Sequence, residues 1–176
     1  MKSSYGCWMH LSKKDNKLLS PIVKRLSRKY VNGDVFPPHI SVSSYAQIEL
    51  DEAISASIKC IEGMKKFEVE KDSIKYSNMW HKTLYIQIKD NPNLTMISNS
   101  LNKTFGRGES PYLLNPHISL LYKEGLSAKE KDRLAKKLKV SEKYLVTSIA
   151  AVTSENKNDP RDYGSWKVVF EKELKQ

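Results

Sequence analysis

The tetrapeptide Pro38-His39-Ile40-Ser41 recurs in the second half of the chain as Pro116-His117-Ile118-Ser119. The chain has only four histidines, so half of them share the same three neighbouring residues. Each copy continues into residues typical of a β-strand, Val42-Ser43-Ser44-Tyr45 in the first and Leu120-Leu121-Tyr122 in the second. The repeat predicts two equivalent strands, and these two stretches decide our interpretation of the fold.

The spacing inside the tetrapeptide has a direct structural meaning. Residues two apart in a strand point to the same side of a sheet, so each histidine shares a side with the serine of its own copy. The isoleucine between them points the other way, toward a core. If the two strands lie side by side, they present two imidazoles and two hydroxyls to one cleft. That arrangement suits acid–base chemistry on an oxyanion.

The rest of the chain predicts the same order of elements around each copy. After a first strand over 5–11, the hydrophobic periodicity indicates a helix over 18–30 with Pro21 near its start, then the first histidine strand, a second helix and a hairpin. A third helix, the second histidine strand, a fourth helix opened by a Ser127–Glu130 capping box and a final hairpin follow.

The repeated order suggests an internal duplication. We expect an α+β fold with two lobes, in which two antiparallel sheets line a central cleft and the helices lie outside. We expect one domain over 1–176, with one lobe at about 18–92 and the other formed by about 1–12 plus 93–176. The first strand would join the sheet of the second lobe.

Composition limits the class of protein. The net charge of +10 favours phosphate-bearing partners, RNA included, although a solvated Lys-rich surface explains it equally well. No apolar run is long enough to cross a bilayer and the N-terminus lacks the apolar core of a signal peptide, so we expect a cytoplasmic protein without membrane contact. Cys7 and Cys60 have no paired spacing, which predicts free core thiols and no zinc site.

The paired His-x-Ser motifs and the order of elements resemble the two-histidine (2H) phosphoesterase superfamily. Within it the chain is most similar to the plant and yeast cyclic phosphodiesterases, to which Trp8 in the first strand and the late Ser165-Trp166 add further similarity. The resemblance implies no metal, no cofactor, and hydrolysis of 2′,3′-cyclic nucleotides or of ADP-ribose 1″,2″-cyclic phosphate, with a 2′-phosphate as product. More distant members act on RNA ends or 2′–5′ linkages.

The same resemblance implies roles for individual residues. His117 would be the base toward water and His39 the acid toward the leaving sugar oxygen, an order that the sequence alone does not fix. Ser41 and Ser119 would donate hydrogen bonds to phosphate, and Tyr122 would contact phosphate or sugar. Strict alternation puts Tyr122 on the side opposite His117, so we expect the strand to twist or end before it.

Aromatic residues outside the motifs are candidates for contact with a nucleobase. Trp80, at the tip of the first hairpin, and Tyr112, in a Gly- and Pro-containing loop, could stack on a base. A core position is an equal alternative for Trp80 and the favoured one for Trp166.

Two histidines and two arginines outside the motifs are further candidates for the site. His10 and His81 have no serine or threonine partner in register, which favours a surface or structural place. Arg107 and Arg161 lie in long polar loops; solvation is the default, and reaching a second phosphate is the alternative.

Three functions therefore compete. The first is metal-independent hydrolysis of a cyclic phosphodiester on a small nucleotide by a monomer. The second, in the same chemistry, is an RNA-end phosphodiesterase or a 2′–5′ RNA ligase-like enzyme, which the basic charge favours. The third is a binding module that holds nucleotide or RNA without turnover, and the two intact motifs count against it.

Overall fold

The computed structural model describes residues 3–31, 33, 35–106, 111–154 and 162–176. These ranges contain eight strands and four helices: seven strands and the four helices follow the predicted order, and the short strand β3 is additional. The strands are β1 Ser4–Leu11, β2 His39–Ser41, β3 Ala46–Gln47, β4 Phe67–Tyr76, β5 Leu84–Ile88, β6 His117–Leu121, β7 Lys143–Ser154 and β8 Trp166–Glu173. The helices are α1 Lys13–Tyr30, α2 Leu50–Cys60, α3 Pro92–Phe105 and α4 Ala128–Lys137.

The strands form antiparallel ladders in the order β2-β1-β7-β4-β5-β6, with β3 beside β1 and β8 beside β7. Strand β4 belongs to two parts of this arrangement. Residues 67–70 pair with β7, and from Lys71 onward β4 pairs with β5, with an irregular register between Lys71 and Ser73. A bulge of this kind bends a strand and increases its twist. The α+β fold is therefore confirmed, and its two sheets are joined through β4.

The strand pairing corrects the expected lobe boundaries. Strand β1 lies between β2 and β7, and β5 lies between β4 and β6. The first histidine strand therefore joins the hairpin of the second half, and the second histidine strand joins the hairpin of the first half. The division into 18–92 and 1–12 plus 93–176 does not follow these pairings. The physical reason is that β1, with Cys7, Trp8 and Met9 buried, is a central strand that takes a neighbour on each side.

The helices cover the outer faces of the sheets. Helix α1 packs on β6, α4 on β4, and α2 on β1 and β7, while α3 packs against α2. Ile40 and Ile118, the central residues of the two tetrapeptides, are fully buried. Among the helices in the described ranges, none combines the length and apolar composition that crossing a membrane requires.

Helix α1 begins earlier than hydrophobic spacing predicts. It starts at Lys13, so Pro21 lies inside the helix and not near its start. The Ser12 hydroxyl caps the helix by accepting from the Asp15 amide, and the Asp15 carboxylate accepts from the Leu145 amide of β7. Polar capping, which carries no hydrophobic period, fixes these first turns.

Candidate active site

The two histidine strands lie next to each other across a cavity of about 300 Å³. His39 and Ser41 from β2 and His117 and Ser119 from β6 all line it. The sequence places these four side chains on one cleft, and the structure brings them together there. The isoleucine between each histidine and its serine is fully buried in the core, as the alternation predicts.

The two imidazoles are held by the same backbone contact. His39 Nδ1 lies 2.7 Å from the Pro37 carbonyl oxygen, and His117 Nδ1 lies 2.6 Å from the Asn115 carbonyl oxygen. A carbonyl oxygen only accepts, so each Nδ1 carries the hydrogen and donates it. In a neutral imidazole the lone pair is then on Nε2. Each histidine thus has one fixed nitrogen and one nitrogen for chemistry.

Burial keeps both imidazoles neutral. Loss of solvent lowers the pKa of His39 from 6.5 to about 3, and the nearby His10 and His117 lower this pKa further, against the Pro37 hydrogen bond that raises it. The pKa of His117 falls from 6.5 to about 4 for the same main reason, with Lys82 and His81 adding to the effect. Desolvation disfavours the charged imidazolium. In the free protein, both groups are bases at neutral pH.

The surroundings of the two histidines differ. The indole of Trp8 stacks on the His39 ring, with centroids 3.7 Å apart and an angle of 11° between the planes. Trp166 meets Trp8 edge-on at 5.4 Å. Trp8 contributed to the resemblance without a role, and a core position was the favoured expectation for Trp166. The structure puts both beside His39 and in the lining of the cavity, where Trp166 is only partly buried.

The other histidine has a cation behind it. Tyr85 meets the His117 ring edge-on at 5.4 Å, and Lys82 Nζ lies 4.7 Å from the centre of the Tyr85 ring. Lys82 is only 9% exposed, and burial lowers its pKa. Sequence analysis missed Lys82 and Tyr85, because neither belongs to a motif and only the pairing of β5 with β6 brings Tyr85 beside Ser119.

The two motif serines are in different hydrogen-bonding states. Ser119 donates to the His81 carbonyl oxygen at 2.9 Å. The Ser41 hydroxyl has no hydrogen bond to another described residue, although its carbonyl accepts from the Tyr112 hydroxyl at 3.4 Å. Ser41 can therefore donate to a ligand directly, whereas Ser119 must first turn away from a carbonyl.

Comparison with known proteins identifies this arrangement. A family model described as cyclic phosphodiesterase-like protein matches residues 4–169, nearly the whole chain. The chain belongs to the cyclic phosphodiesterase-like protein family. The cyclic phosphodiesterase of Arabidopsis thaliana is 23% identical over 137 residues, covering 77% of this chain and 74% of the plant enzyme.

Solved structures show the same fold at low identity. E. coli LigT in complex with 3′-AMP is 13% identical, has a TM-score of 0.67 and matches over 100% of both chains. Usb1 of Kluyveromyces marxianus is 13% identical with a TM-score of 0.54, covering 85% of this chain and 93% of its own. These comparisons confirm the 2H phosphoesterase superfamily, and the chain is a phosphodiester-cleaving enzyme of the cyclic phosphodiesterase type.

Tyr122 of this cyclic phosphodiesterase reaches the cleft because its strand ends early. Strand β6 ends at Leu121, so Tyr122 is not bound by the alternation of side chains along the strand, and it lines the cavity. Its ring stacks on Phe36 with centroids 4.0 Å apart. Burial raises its pKa, so the hydroxyl remains a neutral donor.

The remaining aromatic candidates also line the cavity. Trp80 lies in the short 3-10 turn Trp80–Lys82, and Tyr112 is held by Asn102 of α3, whose side chain bonds both the amide and the carbonyl of Tyr112. Lys131, which is 3% exposed, donates to the Ser77 carbonyl and to Asn78 Oδ1 and so fixes the hairpin tip that carries Trp80.

The two histidines without a motif have different positions. His10 Nδ1 lies 2.9 Å from Glu171 Oε1, and His10 does not line the cavity, in agreement with the surface or structural role expected for it. His81, expected to be surface or structural, is exposed and also lines the cavity. Arg107 and Arg161 lie outside the described residues.

The described part of the chain offers no metal centre at this site. Across the described ranges, no three His, Cys, Asp or Glu side chains come together as metal ligands would. Cys7 and Cys60 are free and buried, and burial raises the pKa of the Cys7 thiol to about 11. Both cysteines are therefore core thiols, as the sequence predicts.

Proposed function

We propose that this enzyme hydrolyses a cyclic phosphodiester on a small nucleotide to a phosphomonoester without a metal. The substrate is either a 2′,3′-cyclic nucleotide, opened to the 2′-phosphate, or ADP-ribose 1″,2″-cyclic phosphate. The observation that carries the proposal is the pair of neutral imidazoles that line one cavity, each held at Nδ1 by a backbone carbonyl. Hydrolysis needs one proton removed from water and one delivered to the leaving oxygen, on opposite sides of phosphorus. Two such groups, one from each strand, meet that need.

In the proposed reaction, His117 Nε2 takes the proton of the attacking water as the water oxygen bonds to phosphorus. The bond from phosphorus to the leaving sugar oxygen breaks, and His39 Nε2 protonates that oxygen. His39 must therefore be an imidazolium when substrate is bound. Burial alone opposes this, but the negative charge of the bound phosphodiester favours the imidazolium and raises the pKa of His39.

The hydroxyls would stabilise the charge that builds on the non-bridging oxygens. Ser41 has no competing hydrogen bond to a described residue and donates first. Ser119 exchanges its bond to the His81 carbonyl for one to phosphate, and Tyr122 adds a third donor. A donor aimed at developing charge in a closed site is worth roughly 2–4 kcal/mol.

The size and origin of the cavity favour a small nucleotide. Its volume of about 300 Å³ is at the low end for small-molecule sites. LigT, which shares the fold, has been crystallised with 3′-AMP, ATP and NADP+. Both histidine strands come from one chain, so the site needs no partner subunit, and we expect a monomer.

The test is phosphorus NMR of the purified protein with 2′,3′-cyclic AMP in excess EDTA, beside His39→Ala and His117→Ala. We expect conversion to the 2′-monophosphate by the native chain and a loss of turnover of roughly 100-fold or more in each variant. Folding of the variants is checked by circular dichroism.

Other outcomes point to the rival functions. Turnover of an RNA bearing a terminal cyclic phosphate, without turnover of the mononucleotide, would favour the RNA-end enzyme. Tight nucleotide binding with no turnover of any of these substrates would mean that the cleft only binds. Equal turnover by the native chain and both variants would exclude the histidine pair.

A further inference from the structure

An aromatic residue that sequence analysis did not single out forms one end of the catalytic cavity. Tyr45 follows the first histidine strand, lines the cavity and lies over Gly6 of β1. A Cβ atom at Gly6 would come within 3.1, 3.2 and 3.3 Å of Cε2, Cδ2 and Cζ of the Tyr45 ring. The ring thus rests so closely against the strand that a side chain at this position would have to push the ring away by a few tenths of an ångström.

The position of this ring relative to the catalytic residues follows from the strand register. Trp8 pairs with Ser41, and Gly6 lies two residues before Trp8 on the same side of the sheet. Two residues of extended strand advance by about 6.6 Å. The Tyr45 ring therefore lies against β1 two residues away from Trp8, which stacks on His39 and pairs with Ser41.

The ring also has a face available for a ligand. One face of Trp8 is covered by His39, and Tyr122 is stacked on Phe36. Tyr45 has no ring contact with another described aromatic residue, and 37% of its surface is exposed. Gly6 lies against the ring from the strand side, and the ring also lines the cavity.

We propose that Tyr45, supported by Gly6, is the stacking platform for the nucleobase of the substrate. The inference rests on the proposed function, since it assumes a cyclic phosphate held between the histidines. The ligand class is a purine or pyrimidine nucleotide. Stacking uses the π face that every base has, so the platform favours nucleotides over base-free cyclic phosphates and discriminates weakly between bases.

The experiment compares Tyr45→Leu with the native chain on two substrates, 2′,3′-cyclic AMP and methyl ribofuranoside 2,3-cyclic phosphate, which lacks a base. The measured quantity is the ratio of kcat/KM for the nucleotide to kcat/KM for the base-free compound. We expect this ratio to fall by roughly 10- to 100-fold in Tyr45→Leu. Tyr45→Phe, which keeps the ring, should retain the native ratio.

Tyr76→Leu is the matched control, because Tyr76 is a 39% exposed tyrosine outside the cavity lining. Gly6→Ala is the second test, since its methyl group displaces the Tyr45 ring without removing it, and it should lower the ratio in the same direction. An unchanged ratio in Tyr45→Leu, or an equal fall in Tyr76→Leu, would overturn the platform.

Failure of the proposed function gives a different pattern. If the native chain turns over neither substrate, calorimetry with 2′-AMP and with ribose 2-phosphate replaces kinetics. If Tyr45→Leu binds 2′-AMP more weakly than the native chain does but binds ribose 2-phosphate equally well, the stacking platform is still supported. If the two proteins bind both compounds equally well, the platform is refuted.

Discussion

Acid should destabilise this enzyme through its two buried imidazoles, and for His39 the structure gives the size of the effect. His39 is 5% exposed, stacked on Trp8, and its pKa is lowered from 6.5 to about 3 by burial. The unfolded chain binds a proton at this position below about pH 6.5, whereas the folded chain does not. The contribution of neutral His39 to stability is therefore complete above pH 6.5 and is lost as the pH falls toward 3.

The magnitude follows from linkage. One pKa unit corresponds to about 1.4 kcal/mol, and pH 5 lies 1.5 units below the unfolded pKa of 6.5 and well above the folded value. Lowering the pH from 7.5 to 5 should thus cost about 2 kcal/mol of the free energy of unfolding through His39 alone. In His39→Asn this term is absent, because Asn can donate to the Pro37 carbonyl but does not take up a proton.

The assay is urea unfolding followed by tryptophan fluorescence at pH 7.5 and pH 5 for the native chain, His39→Asn and His81→Asn. We expect the difference between the two pH values to be about 2 kcal/mol smaller in His39→Asn than in the native chain. His81 serves as the control; its side chain is exposed, and although partial burial lowers its pKa in the same direction, a smaller change is expected there. Equal acid sensitivity of the native chain and His39→Asn would show that His39 titrates freely and that the burial argument is wrong.

Three further predictions concern catalysis and the cleft wall. The bell-shaped pH profile of kcat should lie at higher pH than that of kcat/KM, because the bound anion raises the pKa values of His39 and His117; coincident profiles would contradict the charge argument. Ser41→Ala should lower kcat by roughly 100-fold or more and Ser119→Ala by less, since Ser119 donates to the His81 carbonyl whereas the Ser41 hydroxyl has no hydrogen bond to a described residue; a larger loss of kcat in Ser119→Ala, measured by steady-state kinetics, would contradict this argument. Lys131→Met removes both hydrogen bonds to the hairpin tip, so it should lower the free energy of unfolding by roughly 1–3 kcal/mol and raise KM. Thermal unfolding and steady-state kinetics measure the two effects, and an unchanged KM would show that the hairpin tip does not contribute to substrate binding.

The local part of the site was predictable from the sequence. Identical neighbours around His39 and His117 fixed the side of the strand on which the serines lie, because alternation in a strand is a local property. The same reasoning anticipated that the strand would end before Tyr122. The order of helices and strands also follows from periodicity, which reports on neighbours along the chain.

What the sequence did not reveal depends on long-range pairing. Strand β1 lies between β2 and β7, which places Trp8 against His39 and puts each histidine strand in the same sheet as the hairpin from the other half of the chain. No local sequence pattern encodes this strand order. Lys82 and Tyr85 approach His117 only because β5 pairs with β6. Gly6 gave no signal, since its meaning is the space that it leaves for a ring distant in the sequence.

The asymmetry around the two imidazoles supports the proposed division of roles. The stacked indole of Trp8 presents a π face to His39, and such a face attracts a cation, so it favours the imidazolium once an anion is bound. Lys82, behind Tyr85, disfavours a positive charge on His117 and keeps that imidazole a base. Neither Trp8 nor Lys82 alone determines the protonation state of its histidine, because burial is the main cause of both lowered pKa values. Since burial holds both histidines neutral in the free protein, the proposed mechanism requires the negative charge of a bound phosphodiester to make His39 an acid, and in that mechanism the acid–base pair is complete only when substrate is bound.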